Sequence, residues 1–205
     1  MQPRIEQKLS VDTREYVSIV RWLAQRQASL LYPPRRVSST YFDTPQLSMF
    51  QDTVEGIVPR RKVRIRCYST HTSSCESSHQ LETKLTTETG RKKQSCDIDD
   101  VHLAEANGLM DDQYGWLVAT LHVSYEREYF AISGIRMTID RFIRYRSSNS
   151  LSQAWCDDEQ IAVELKAPST TSLDWLANEF PLPRIHFSKY ERGILRTGAT
   201  TTSDA

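Results

Sequence analysis

Three segments of this 205-residue chain set a carboxylate and an ammonium two residues apart: Glu6 and Lys8 in IEQK, Glu82 and Lys84 in LETK, Glu164 and Lys166 in VELK. A fourth, RRKVRIRCY at 60–68, alternates Lys62, Arg64 and Arg66 with Val63, Ile65 and Cys67. Residues two apart on a strand share a face, so each segment reads as a strand with one charged and one apolar side. By the same parity Arg4 joins Glu6 and Lys8, Arg127 joins Tyr125 and Tyr129, and Arg136 joins Thr138 and Asp140. On these faces, with Lys189 from a C-terminal helical stretch, cations outnumber the acids Glu6, Glu82, Asp140 and Glu164. Turned away from water, an unpaired charge costs several kcal/mol. A set of inward cations therefore calls for a polyanion, and a triphosphate suits it: Arg forks its oxygens and Lys acts as a point charge. The acids can pair with neighbouring cations or hold Mn2+ or Mg2+, hard ions that take carboxylate and phosphate oxygens together. The plain alternative is six solvated faces whose apolar sides cover helices in a two-layer fold.

The elements that must position these residues are mostly short strands. Strand patterns lie at 4–11, 37–43, 61–68, 80–86, 122–132, 135–146, 160–167 and, weakly, 152–156. Asp12 with Glu15 three residues on forms a capping box for a helix to about Ala28, with Tyr16, Val20, Leu23 and Ala24 on one face and Pro33–Pro34 closing the region. Loops are expected at 44–60 and 87–100, mixed helical patterns at 101–121, and helices at 172–180 and 188–195. Many antiparallel strands with few helices suggest a barrel or sandwich with helices outside it.

Composition sets limits. Lys plus Arg equals Asp plus Glu at 26 each, so no net field drives nucleic-acid or membrane binding. No run is apolar enough to span a bilayer, and the N-terminus lacks the apolar core of a secretory signal. The four cysteines, without C-x-x-C spacing, suit free thiols in a reducing compartment. No P-loop motif is present, so any triphosphate site is made from strands. The reading at this point is a cytoplasmic chain without nucleic acid as partner and without membrane insertion.

The motifs RIEQK (4–8), SSTYFDT (38–44), RRKVRIRCY (60–68), LETK (81–84), YERE (125–128), RMTID (136–140), AVELKA (162–167) and FSKYERG (187–193), in that order, resemble the VTC domain. That domain is the polyphosphate polymerase branch of the triphosphate tunnel metalloenzymes, a superfamily that includes the CYTH phosphatases and cyclases. The resemblance implies an α+β, mainly antiparallel fold: an eight-stranded triphosphate-tunnel β-barrel with helices packed outside and a C-terminal helix at one end. It implies one domain over 1–195, with 196–205 a disordered tail. Carried over by position, Lys8, Arg64, Arg66, Lys84, Arg127 and Arg136 contact phosphate, Glu164 holds the metal, and Ser188 with Lys189 closes on the phosphate chain. Parity adds Arg4, Lys62 and Lys166 as substrate-binding residues and Glu6 as a second metal carboxylate. One departure stands out. CYTH members begin E-x-E-x-K, whereas this chain has R-x-E-x-K, exchanging a metal ligand at position 4 for a phosphate contact. The implied activity is transfer of the γ-phosphate of ATP to inorganic polyphosphate with Mn2+ or Mg2+. Hydrolysis of another triphosphate and a non-catalytic polyphosphate-binding module are the alternatives.

Overall fold

Alternation of apolar with polar residues in RIEQKLSV and IAVELKAP makes β1 (Arg4–Val11) and β10 (Ile161–Pro168) half-buried strands, paired antiparallel with Leu9 opposite Val163 and Lys8 opposite Glu164. The structure, a computed structural model, describes residues 4–69, 79–149, 154–171 and 187–198, and side chains from Glu6 onward. The expected helix at 172–180 and the Arg4 side chain fall outside the described residues. Among the described residues there are ten strands and four helices, and none of the helices is long and apolar enough to cross a membrane.

The chain divides into two compact units. The first comprises Met1–Arg36, Tyr125–Ile143 and Asp157–Phe187. Within it, strand neighbours run β1–β10–β8 (Ile135–Ser147)–β7 (Gly115–Ile132)–β2 (Ser29–Asp43). Helix α1 (Thr13–Gln25) starts at the predicted capping box: Asp12 Oδ1 accepts from the amides of Arg14 and Glu15, and Glu15 Oε2 accepts from the Asp12 amide, each at 2.8 Å. Ile19, Trp22 and Leu23 face the core, whereas Val20 and Ala24 are exposed. The bulky Ile19–Trp22 pair, burying more apolar area, sets the helix rotation. The core joins these residues to Leu9, Met137 and Ile139.

The second unit comprises Val37–Ser124, Arg144–Cys156 and Ser188–Ala205. Here the strand neighbours are β7–β2–β3 (Arg60–Ser69)–β4 (His79–Thr87)–β5 (Gly90–Ile98), with β6 (Leu109–Asp111) beside β7. Phe42, Met49, Val63, Ile65, Ala104 and Leu117 form its core. Helices α2 (Ser48–Glu55), α3 (Val101–Asn107) and α4 (Lys189–Thr197) complete it, and β9 (Cys156–Asp157) pairs with β8. Gly193 of α4 lies so close to β7 and β8 that a Cβ there would stand 2.4 Å from Leu121 and 2.7 Å from Tyr145.

Several expectations need correction. Residues 44–60 contain α2, because Asp43 accepts the Met49 and Phe50 amides and Thr44 Oγ1 accepts the Ser48 amide. Residues 87–100 contain β5, reached by a two-residue turn in which Thr87 pairs with Gly90. β2 starts at Ser29 and runs through Pro33–Pro34; within the first unit this half is an edge strand, where proline is tolerated. β7 begins at Gly115, and α4 extends to Thr197, past the expected start of the tail. Eight strands lie on the main path, as expected, but no ladder joins β5 to β1 among the described residues. β5 is exposed along most of its length and carries Arg91, Lys92 and Lys93, a charged edge that discourages a further strand.

Candidate functional site

In the second unit the register of β3, β4 and β5 decides the electrostatics. Lys62 lies opposite Lys84, and Lys84 opposite Lys93, so three ammonium-bearing residues stand abreast. One step along, Arg64 lies opposite Glu82. Glu82 is fully buried, and Arg64 meets its Oε2 through Nε at 2.7 Å and Nη2 at 2.6 Å. Arg66 Nη1 is 3.8 Å from the same oxygen, and Lys93 pairs with Oε1. Burial favours the protonated acid, but Arg64 and Arg66 outweigh it and hold the Glu82 carboxyl down at about 2. Arg66 Nε also donates to Ser39 Oγ at 3.1 Å, and Arg64 Nη1 to Tyr41 Oη at 2.9 Å. Both guanidiniums are thus fixed before any ligand arrives.

Ser188 and Lys189 belong to this unit as well. Ser188 caps α4, its Oγ accepting from the Glu191 amide at 3.4 Å and from Lys62 Nζ at 3.0 Å. The next residue, Tyr190, is buried, stacks on Tyr41 with centroids 5.0 Å apart, and donates to Asp43 Oδ2. Asp43 also accepts amides from Thr44, Met49 and Phe50. It works as a cap for the first turn of α2. Burial pushes the Asp43 carboxyl and the Tyr190 phenol up from their ordinary values.

In the first unit, β1, β10 and β8 share a polar face: Glu6 lies opposite Lys166, Lys8 opposite Glu164, Glu164 opposite Thr138, and Lys166 opposite Arg136. Arg127 of β7 makes a fork with buried Asp140, Nε to Oδ1 at 2.6 Å and Nη2 to Oδ2 at 2.8 Å. Lys166 Nζ is 2.6 Å from Glu164 Oε1, and Lys8 Nζ 3.3 Å from Glu6 Oε1. Burial resists ionisation of Glu164, but Lys8, Lys166 and Arg127 hold its carboxyl well below the usual carboxylate range. Arg136 is on this face but exposed.

Glu6 and Glu164 stand diagonally on adjacent strands, and the buried Thr138 hydroxyl opposite Glu164 has no hydrogen-bond partner. Among the described residues there is no cluster of three or more ligating side chains. One or two carboxylates completed by phosphate oxygens and water suit Mg2+ or Mn2+. The residues fit an ion carried in with a phosphate substrate, not one caged by protein alone.

The fold thus brings Lys62, Arg64, Arg66, Lys84, Ser188 and Lys189 into one unit, and Glu6, Lys8, Arg127, Arg136, Glu164 and Lys166 into the other. Two further residues emerged only in the structure. Lys93 was hidden in a segment read as loop. Tyr41 carries only a weak sequence signal, strand parity with Ser39 and Asp43.

Comparison with known proteins follows this geometry. The sequence matches the profile of the VTC domain over residues 3–115 and 108–197. No curated protein matches it. Among solved structures, a candidate adenylate cyclase from Bacillus halodurans superposes with a TM-score of 0.58 at 13% identity, covering 91% of this chain and 94% of that one. A candidate adenylate cyclase from Vibrio parahaemolyticus gives 0.54 at 16% identity, covering 93% and 97%. At such identities these likenesses establish the fold alone.

Proposed function

The chain belongs to the VTC domain family, and from that premise we propose that it is a metal-dependent phosphotransferase extending inorganic polyphosphate with the γ-phosphate of ATP. The observation that carries this reading is the row Lys62, Lys84 and Lys93 beside Arg64 and Arg66, with Glu82 the buried carboxylate among them. Like charges directly opposite on a sheet are destabilising. A phosphate chain brings negative charge to this row of cations, and pre-fixed guanidiniums bind its oxygens with little reorganisation.

Catalysis then rests on positioning and charge neutralisation. Arg64, Arg66 and Lys84 grip phosphate oxygens, with Lys62, Ser188 and Lys189 alongside. Lys8, Arg127, Arg136 and Lys166 supply the cations of the other unit, and Arg4 extends that set. Glu164 and Glu6 would hold Mn2+ or Mg2+, which when bound offsets charge on the phosphate oxygens. The acceptor is the terminal phosphate of a growing chain; it is already ionised, so transfer needs no general base.

Incubation with ATP and Mn2+, followed by gel analysis of products, tests the reading. Polyphosphate ladders are expected. Free phosphate alone would replace the transferase with a triphosphate hydrolase, and tight polyphosphate binding without turnover would leave a binding module. Glu164→Gln should abolish metal-dependent turnover, and Arg64→Ala should weaken triphosphate binding by about tenfold or more. Wild-type turnover in both variants would sink the assignment.

A further inference from the structure

Tyr41 is a buried tyrosine with aromatic and charged neighbours. Its ring stacks on Tyr190, inclined by 20°, and the Arg64 guanidinium carbon lies 5.6 Å from its centroid. Its hydroxyl accepts from Arg64 Nη1 at 2.9 Å, and no acceptor for its own proton exists among the described residues. A buried donor without an acceptor costs about 1–3 kcal/mol. The hydroxyl also hydrogen-bonds a guanidinium expected to grip phosphate, so an oxygen reaching Arg64 comes within reach of Tyr41. We propose that the Tyr41 hydroxyl is a further phosphate-binding group in the second unit, accepting from Arg64 while donating its own proton to a phosphate oxygen. The proposal rests on the reading of this face as a phosphate site.

This role has a consequence in proton balance, because only the neutral phenol can donate. Charged and titratable groups face Tyr41 from three elements: Arg64 and Arg66 on β3, Glu82 on β4 drawing on the same guanidiniums, and Lys189 with Tyr190 on α4. Burial alone would raise the phenol, but Arg64, Arg66 and Lys189 outweigh it and bring Tyr41 down to about 8. Above that pH the free protein carries a phenolate there, which repels phosphate and has no proton to give. A bound phosphate, being anionic, raises the phenol again. Binding is therefore strongest below pH 8 and weakens above it, and near pH 8 it takes up a proton.

The test uses inorganic tripolyphosphate as probe and compares wild type with Tyr41→Phe, which keeps the ring and its stack on Tyr190. At pH 7 the substitution should lower affinity about tenfold, as for a hydrogen bond to a charged group. The ratio of wild-type to variant affinity, in which the probe's own titration cancels, should fall as pH rises from 7 to 9. Tyrosinate absorbance at pH 8 should drop when tripolyphosphate is added to wild type and stay flat in Tyr41→Phe. A ratio of one at every pH, with Arg64→Ala still losing binding, would overturn the Tyr41 role and leave the phosphate site standing. Wild type that fails to bind tripolyphosphate at all would overturn both.

Discussion

The two units carry charge in opposite ways. In the first, each carboxylate has its own cation: Asp140 with Arg127, Glu164 with Lys166, Glu6 with Lys8. In the second, Glu82 serves Arg64, Arg66 and Lys93 together, while Lys62 and Lys84 stand beside them on the same face. Sequence composition cannot distinguish the two, since both rest on E-x-K strands. The register does. The first face is close to balanced, so its pairs hold side chains in place. In the second, one buried carboxylate is shared by three cations, and the register sets three lysines abreast beside it. The contrast between one-to-one pairs and a shared carboxylate can be broken from either side.

The largest effect is expected in the balanced unit. Asp140→Asn leaves the half-buried Arg127 guanidinium without its buried carboxylate, and breaking such a pair costs about 3–5 kcal/mol. Urea unfolding without any ligand should show that loss in full. A change under 1 kcal/mol would mean the fork is ornamental, and the contrast between the units would collapse. In the other unit Glu82 gives a pH signature. Its folded value of about 2 lies below the ordinary 4.5, so its contribution is fully present above pH 4.5 and lost as pH falls through 2. The difference amounts to about 3 kcal/mol. Glu82→Gln should flatten that part of the acid limb. At pH 7 tripolyphosphate should restore the variant's stability by mass action, because it supplies the charge Glu82 provided.

How much of this could be read without coordinates depends on distance along the chain. Period-two alternation is local, so the charged faces of IEQK, RKVRIRC, LETK and VELK were legible, as was the capping box at Asp12. Register is not local. That Lys62 faces Lys84 depends on how β3 meets β4 across a long connection, which turn chemistry does not fix. Lys93 stayed hidden because the turn at Glu88–Thr89 lacks the Asn-Gly or Asp-Gly signal of a tight hairpin. Helix α2 was missed because its amides are satisfied by Asp43, upstream of the helix start, and not by an adjacent cap. Tyr190 and Asp43 are 147 residues apart, and no pattern in either segment announces the contact.

The smallest predicted effects concern one lysine in each unit. Lys84 lies between Lys62 and Lys93 on neighbouring strands. Removing its charge lowers the positive potential of that row, so Lys84→Met should weaken tripolyphosphate binding, and the loss should shrink as salt is added. Lys166 lies between Glu6 and Arg136 on neighbouring strands and is 2.6 Å from Glu164. Lys166→Met leaves that half-buried carboxylate with one cation fewer and should destabilise the protein by roughly 1 kcal/mol. Tripolyphosphate affinity of the first variant and the urea midpoint of the second, both measured at low salt where screening is weakest, check the two outcomes. Unchanged affinity in Lys84→Met would mean that the row of lysines is not ready for a polyanion, because register would then set three cations abreast without any of them drawing a ligand.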